Sequence, residues 1–274
     1  MTLDWIDILK ESLVITLVVT ALMLAIEAFN FILKGRMIEW LRKTRAGQII
    51  ASALLGVIPG CAGGYFSVSM YSRGMFSFGA LLAMMVSTTG DEAFLMLARF
   101  PGKALAIFGA LLTLGIAVGF AADAIIKAKT GKTPYIDNSG NGIEIHHGDE
   151  TLKDKMLHIL PHAAKVFAWT FGVLLAVAIL EQYVDVGGWI HENTLISVII
   201  AILVGFIPQS GPHMVFVTMF ADGLLPLPVL IANCIMQEGH AGLPLLSESK
   251  SAWIKGKLMK LVPAILAAAV CALF

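Results

Sequence analysis

An apolar stretch that is interrupted first by a proline turn and then by polar residues occurs twice in this chain, 149 residues apart. The first copy reads G-V-I-P-G-C-A-G-G and then S-T-T-G-D-E, and the second reads G-F-I-P-Q-S-G-P-H and then Q-E-G-H-A-G. The copies align without a gap, so the sequence predicts two halves built on one plan. Identical residues occupy Leu54/Leu203, Gly56/Gly205, Ile58/Ile207, Pro59/Pro208, Val68/Val217, Met70/Met219, Gly74/Gly223, Leu81/Leu230, Ala83/Ala232, Gly90/Gly239 and Leu97/Leu246.

The composition places both halves in a lipid bilayer. Hydrophobic residues make up 58% of the chain and charged residues 14%, whereas soluble domains have about 45–50% and about 25%. A helix needs ~20 apolar residues to span a membrane, and we expect the run at 12–33 to be a retained span. The formal net charge is zero, which indicates no nucleic-acid partner. Polar segments are confined to residues 34–46, 127–157, 184–194 and 247–257.

These polar segments divide the chain into a first membrane repeat at 1–126, a cytoplasmic linker loop at 127–157 and a second membrane repeat at 158–274. Within each repeat we expect one helical hairpin, at 46–72 and at 195–222, because Pro and Gly lie at its centre. The helices that follow should run over 74–97 and 223–246, and the last span over 258–274.

Loop charge predicts how the halves are oriented. The connection after the first span is rich in Lys and Arg, whereas its counterpart at 184–194 has none; the segment at 247–257 carries three lysines. Because positive loops stay in the cytoplasm, the halves should be inverted, with both termini outside. The expected fold is an all-α polytopic membrane protein with two inverted repeats, each of three full spans and one re-entrant helical hairpin, giving about ten membrane segments.

Charged side chains in the apolar helices are the main candidates for function, since intramembrane charge is costly. Inverted repeats should bring the polar clusters together at the midplane. Carboxylate and imidazole groups together suit a divalent cation. The predicted metal ligands are Asp91, Glu92, Glu238 and His240, assisted by Thr88, Thr89 and Gln237. A water-filled vestibule or mutual pairing of these charges is the alternative.

The hairpin turns are the second candidate, because the ends of broken helices expose unpaired amides and carbonyls. They offer Pro59 and Cys61 in the first half, and Pro208, Ser210 and His213 in the second. Turn formation alone would also explain the prolines. The exchange of Cys61 for Ser210 between the halves favours a directional route over a symmetric channel.

The chain carries no nucleotide-binding or nucleophile-elbow motif, so we predict neither an enzyme nor an ATP-driven pump. An ion gradient should supply the energy, with protons as the candidate coupling ion. No cofactor is predicted, and a homo-oligomer is compatible with the sequence.

The two repeated motifs resemble those of bacterial ten-span heavy-metal exporters, described as ArsP-like arsenic efflux permeases and as manganese transporters. The resemblance covers nearly the whole chain and implies an efflux carrier of the cytoplasmic (inner) membrane, with motif positions at Pro59, Asp91, Glu92, Pro208, Glu238 and His240. Arsenite would call for several thiolates, which this sequence does not cluster.

The sequence therefore predicts a secondary-active exporter of a divalent, manganese-like metal ion that works by alternating access. A weaker likeness runs to undecaprenyl-phosphate recyclers and phosphatases, whose hairpins share an I-P-G turn. It leaves open a transporter or recycling enzyme for a phosphate-bearing lipid or a small organic anion bound at the hairpin turns.

Overall fold

The computed structural model describes residues 44–72, 74–130 and 185–273, together with parts of 6–21 and 163–179. These residues form helices and no strand, as predicted. The helices whose bounds are described are α1 Arg45–Val57, α2 Ala62–Ser72, α3 Phe78–Ser87, α4 Glu92–Arg99, α5 Pro101–Thr130, α6 Val186–Glu192, α7 Thr194–Val204, α8 Gly211–Ala221, α9 Leu227–Met236, α10 Gly242–Glu248 and α11 Lys250–Cys271, with a 3₁₀ turn at Gly239–Ala241.

Helices α1 and α2 form the first hairpin, and α7 and α8 form the second. The Thr44 side chain caps α1 by accepting from the Gly47 amide at 3.0 Å. Residues 58–61 turn the chain, where Gly60 has a φ of 100°. A Cβ on Gly63 would lie 1.9 Å from the Leu55 carbonyl oxygen, so α1 and α2 pack backbone to backbone. Both helix pairs are present, and their re-entry into a membrane stays a prediction.

The helices expected at 74–97 and 223–246 are each broken, contrary to the prediction of continuous spans. Helix α3 begins at a Ser77 cap and ends at Ser87, and α4 starts only at Glu92. Gly90, with a φ of 58°, turns the chain between them, and Gly239 does the same at 54° after α9. A left-handed residue cannot continue a right-handed helix, so each glycine separates two short helices.

The last helix begins earlier than predicted. The Ser249 side chain caps it by accepting from the Ala252 amide at 3.2 Å, and α11 then runs through the segment expected to be a polar loop. Lys257 is fully buried, so it adds no charge to a loop. Lys127 and Lys129 likewise belong to the last turn of α5, while linker residues 131–157 lie outside the described residues. The orientation of the halves stays a prediction.

The element boundaries repeat at the same interval as the sequence. Helices α8 and α9 begin and end 149 residues after α2 and α3, and α11 begins 149 residues after α5. Gly74 and Gly223 share a positive φ, as do Gly90 and Gly239. The duplicated sequence therefore gives matching helices.

The helix after each break packs with the opposite half. In one apolar cluster, buried Phe94 and Leu95 of α4 join α7, α8 and α9, together with α5 of their own half. In the other, Leu245 of α10 joins α1, α2 and α3, together with Ala252 of its own half. We call these the second-half bundle and the first-half bundle. Because α4 and α10 are exchanged, the chain crosses between the bundles at the two breaks.

Apolar surface and helix length fit a lipid environment. Two segments of the described chain are long and apolar enough to cross a membrane, Phe78–Arg99 and Pro101–Lys129. Helix α11 has 22 residues, including four lysines. Large hydrophobic side chains are exposed along α7 and α11, where contact with water would be unfavourable and contact with lipid would not be. They include Leu195, Ile199, Leu203, Leu258, Val262 and Leu266.

Candidate functional site

The two helix breaks meet at their glycines. A Cβ placed on Gly90 would lie 3.4 Å from the Cα of Gly239, and the reverse distance is the same. The Gly60 amide of the first hairpin donates to the Gly90 carbonyl oxygen at 3.1 Å. A Cβ at either position would already be in van der Waals contact with the opposite break, so the two halves approach each other backbone to backbone at this point.

Three potential metal ligands converge beside this contact. Oδ2 of Asp91 lies 3.1 Å from Nδ1 of His240. The Cys61 thiol donates to Oδ1 of Asp91 at 3.3 Å, and its Sγ lies 3.6 Å from the same His240 nitrogen. The three donor atoms lie within 4.8 Å of one another. The first hairpin, the first break and the second break each supply one ligand; we call this set the Asp91 cluster.

Ser210 completes the polar surroundings of the Asp91 cluster. Its hydroxyl lies 3.3 Å from Nδ1 of His240 and donates to Oδ2 of Asp91 at 3.5 Å. Asp91 and Ser210 are buried, while 37% of the His240 side chain is exposed. The cluster is thus closed on the Asp91 side and accessible past the imidazole.

The same contacts differ from those of a catalytic triad. In a catalytic triad the nucleophile and the carboxylate contact opposite nitrogens of the imidazole. Here Cys61, Ser210 and Asp91 all approach Nδ1 of His240. A proton therefore has no relay path from the thiol through the ring to Asp91.

Glu238 lies in a different environment. Its carboxylate pairs with Lys257, 2.6 Å from Oε2, and with Lys260 at Oε1. All three side chains are buried. Because both carboxylate oxygens are engaged by ammonium groups, the structure does not bring Glu238 into the Asp91 cluster.

Of the remaining predicted residues, Glu92, Thr89 and His213 are buried, whereas Pro59 and Pro208 are half-buried. The two carboxylate oxygens of Glu92 and the hydroxyl oxygen of Thr89 have no hydrogen-bond partner among the described residues. His213 lies inside the second hairpin, where its Nε2 is 3.1 Å from the Ile207 carbonyl oxygen. Pro59 and Pro208 lie in the hairpin turns. None of these five residues contributes a ligand to the Asp91 cluster.

Gln237 and Thr88 join the two breaks. The Gln237 side-chain amide donates to the Thr88 carbonyl oxygen at 3.0 Å, again across 149 residues. The Thr88 hydroxyl accepts from the Gly90 amide at 3.2 Å. These groups therefore hold the backbone from which Asp91 and His240 project.

Sequence reasoning missed Lys257 and Lys260. Lys257 was assigned to a loop, and the segment K-L-M-K-L-V-P-A-I-L contains the signal that could have found both. Two lysines three positions apart share a helix face, and the residues that follow are apolar. Charge inside such a segment requires buried partners.

A family model matches residues 8–183 and 145–274, and its family, ArsP_2, is described as "Putative, 10TM heavy-metal exporter". The chain belongs to this family. The resemblance given by the repeated motifs is thereby confirmed, and the ten spans of the ArsP_2 description agree with the predicted number of membrane segments. No curated protein and no solved structure matches the chain. At this level the ArsP_2 member is a helical membrane protein of a metal-transporter family and not of an enzyme family.

Proposed function

We propose that this ArsP_2 member exports a divalent metal ion and that the Asp91 cluster holds the ion during transit. The observation that carries the proposal is the convergence of a carboxylate, an imidazole and a thiol within 4.8 Å. Both halves of the chain contribute, as expected of a transporter site at a repeat interface. Three protein ligands leave a coordination position open, which suits an ion that must enter and leave.

The donor atoms favour a borderline metal ion. Thiolate and imidazole prefer zinc, cobalt, nickel or iron(II), whereas manganese prefers oxygen ligands. The sequence-derived set of three carboxylates favours manganese, but Glu238 is engaged by two lysines and Cys61 takes a place beside Asp91. We therefore rank zinc and cobalt first and keep manganese in the comparison.

Alternating access in this proposal uses the two breaks as hinges. The halves are inverted repeats, and the first-half and second-half bundles rock against each other around the Asp91 cluster. Thr88–Asp91 and Gln237–His240 are the crossovers, so any relative movement must change their backbone angles. Because Asp91 and His240 lie on different crossovers, rocking also changes the ligand geometry. Proton antiport is the proposed coupling, since thiol and imidazole ligands must give up protons to bind metal.

The phosphate alternative has less support. Lys257 and Lys260 donate to backbone carbonyls and to Glu238, so their charge is already compensated. The Asp91 carboxylate lies 3.3 Å from Cys61 in one hairpin turn and 3.5 Å from Ser210 in the other, and it would repel an anion there. We therefore propose a cation as the substrate.

Metal binding to the purified protein tests the proposal. Calorimetry with zinc, cobalt, iron(II), manganese and magnesium is compared for the wild type, Asp91→Asn, His240→Gln and Cys61→Ser, with Cys271→Ser as the matched thiol control. We expect saturable binding that the first three substitutions weaken and the control does not. Flux into inverted vesicles should show the same order. Absence of binding to every metal would reject the proposal, and so would wild-type flux in Asp91→Asn.

A further inference from the structure

Two fully buried lysines lie behind the Asp91 cluster on α11. Lys257 Nζ donates to the carbonyl oxygens of Gly205 at 2.5 Å and Met236 at 2.7 Å. Lys260 Nζ donates to the carbonyl oxygens of Met85 at 3.1 Å and Met236 at 3.0 Å. Glu238 is a further partner of both, because its Oε1 accepts from Lys260 and its Oε2 forms an ion pair with Lys257. Each ammonium group therefore has enough acceptors for its three protons.

The acceptors share a structural position, the C-terminal ends of helices. Met85 lies in the last turn of α3, Met236 ends α9 and Gly205 follows α7. The last carbonyls of a helix lack intrahelical donors and carry its negative dipole end. Lys260 thus joins the end of α3 to the end of α9, which are the two helices that stop immediately before the breaks.

A continuous path leads from Lys260 to the metal ligands. Its ammonium group also donates to the Gln237 carbonyl oxygen at 3.2 Å, and the Gln237 side chain donates to Thr88 at 3.0 Å. Asp91 follows Thr88 by three positions, and His240 follows Gln237 by three. The hydrogen bonds of Lys260 and Gln237 consequently fix both backbone segments that carry these ligands.

We propose that Lys260 is a positioning residue for the metal site, holding the two breaks at the separation that lets Asp91 and His240 bind one ion. The inference rests on the proposed function, because it assigns Lys260 a role in that same site. Lys260 does not contact the ion. It acts through Gln237 and Thr88, as outer-shell partners orient metal ligands in other proteins.

The matching positions in the first half explain why buried lysines occur in only one of the two described repeats at these positions. Lys257 and Lys260 correspond to Phe108 and Leu111, and Glu238 corresponds to Thr89. One lysine donates to both α3 and α9, so a second lysine at 111 would bring another ammonium group to the same carbonyls. A single asymmetric side chain therefore serves a pair of equivalent helix ends.

Cobalt(II) titration, followed by its visible absorption, tests the role of Lys260. Lys260→Met removes the ammonium group at similar length, and Lys255→Met is the control because Lys255 is exposed on the same helix. We expect Lys260→Met to weaken cobalt binding about 10–100-fold and to alter the absorption bands, which report ligand geometry. Lys255→Met should keep wild-type affinity and bands. A purely structural lysine would lower the melting temperature without moving the bands.

Gln237→Met interrupts the same hydrogen-bonded path without removing a buried charge. It tests the positioning role if Lys260→Met does not fold. It should weaken cobalt binding, and the double variant should lose no more than the larger single loss, because both substitutions break one path. Wild-type affinity and bands in Gln237→Met, or in folded Lys260→Met, would overturn the positioning role. Failure of the wild type to bind any metal would instead reject the proposed function, so the two failures are distinguishable.

Discussion

Asp91 and His240 occupy matching positions in the two halves of the chain, and their side chains face each other with Oδ2 and Nδ1 3.1 Å apart. Residues at the same position of two repeats touch only near the axis that relates the repeats. One half supplies an acid there and the other a base. The site is therefore built from one ancestral position used twice, with different chemistry.

Exchanging the two side chains tests this pseudo-symmetry. Asp91→His and His240→Asp should each weaken zinc binding by more than the about 10–100-fold typical of an outer-shell loss, because each removes a different ligand type. The double exchange restores one carboxylate and one imidazole. We expect it to recover part of the affinity in calorimetry. A double variant weaker than both singles would show that the two positions are not interchangeable.

Alanine at the break glycines should damage the fold and the site together. Gly90→Ala and Gly239→Ala each place a Cβ at a positive φ, which costs about 1–2 kcal/mol, and a Cβ on Gly239 would lie 3.0 Å from the Ser210 hydroxyl oxygen beside the Asp91 cluster. Thermal unfolding of the purified protein and zinc affinity should both fall. Gly102→Ala is the control, because nothing lies within 4 Å of its Cβ position, and helical alanine is favourable by up to about 1 kcal/mol.

Replacement of Glu238 separates its two possible roles. Glu238→Gln leaves two buried ammonium groups without their carboxylate, and removal of one partner from a buried ion pair costs about 3–5 kcal/mol. We expect a large loss of thermal stability. The sequence-based assignment of Glu238 as a metal ligand predicts the reverse, an intact fold with weakened binding. Differential scanning fluorimetry beside calorimetry distinguishes the two outcomes.

Arg99 and Asp222 form a charged pair between the C-terminal ends of α4 and α8. This pair attaches the exchanged helix α4 to the second-half bundle. Because both side chains are partly exposed, Arg99→Asp should cost no more than about 1 kcal/mol of stability. If α4 must move with that bundle, vesicle flux should fall more than metal affinity. The double variant Arg99→Asp with Asp222→Arg should recover flux; no recovery would remove the pair from the mechanism.

The sequence predicted what depends on local composition and repetition. Helices and hairpins follow from apolar runs and from Pro-Gly turns, which are local signals, and the duplicated plan follows from residues that recur at one fixed interval. The prediction of continuous helices over 74–97 and 223–246 was wrong at Gly90 and Gly239, because nothing in an apolar run indicates that a glycine within it is left-handed. Of the predicted ligands, Asp91 and His240 lie together in the structure. Glu238 instead pairs with Lys257 and Lys260, and this pairing depends on how α11 packs against the breaks.

The choice of Cys61 as the third side chain at the Asp91 cluster could not be made from spacing. Cys61 and Asp91 are 30 residues apart and meet because the first hairpin turn hydrogen-bonds to the first break, through the Gly60 amide and the Gly90 carbonyl. Gly60 and its neighbours predict a turn. They do not predict what the turn contacts, because that contact is set by tertiary packing.

The exchange of α4 and α10 also has a consequence for biogenesis. Phe94 and Leu95 of α4 belong to an apolar cluster that includes α5 of their own half and also α7, α8 and α9, which are synthesised later, in the second half. The apolar packing of α4 is therefore incomplete when the first half has been synthesised, and it is completed only after the second half has been inserted. Expressed as two separate polypeptides, the halves should accumulate only when made together, as obligate partners of one another.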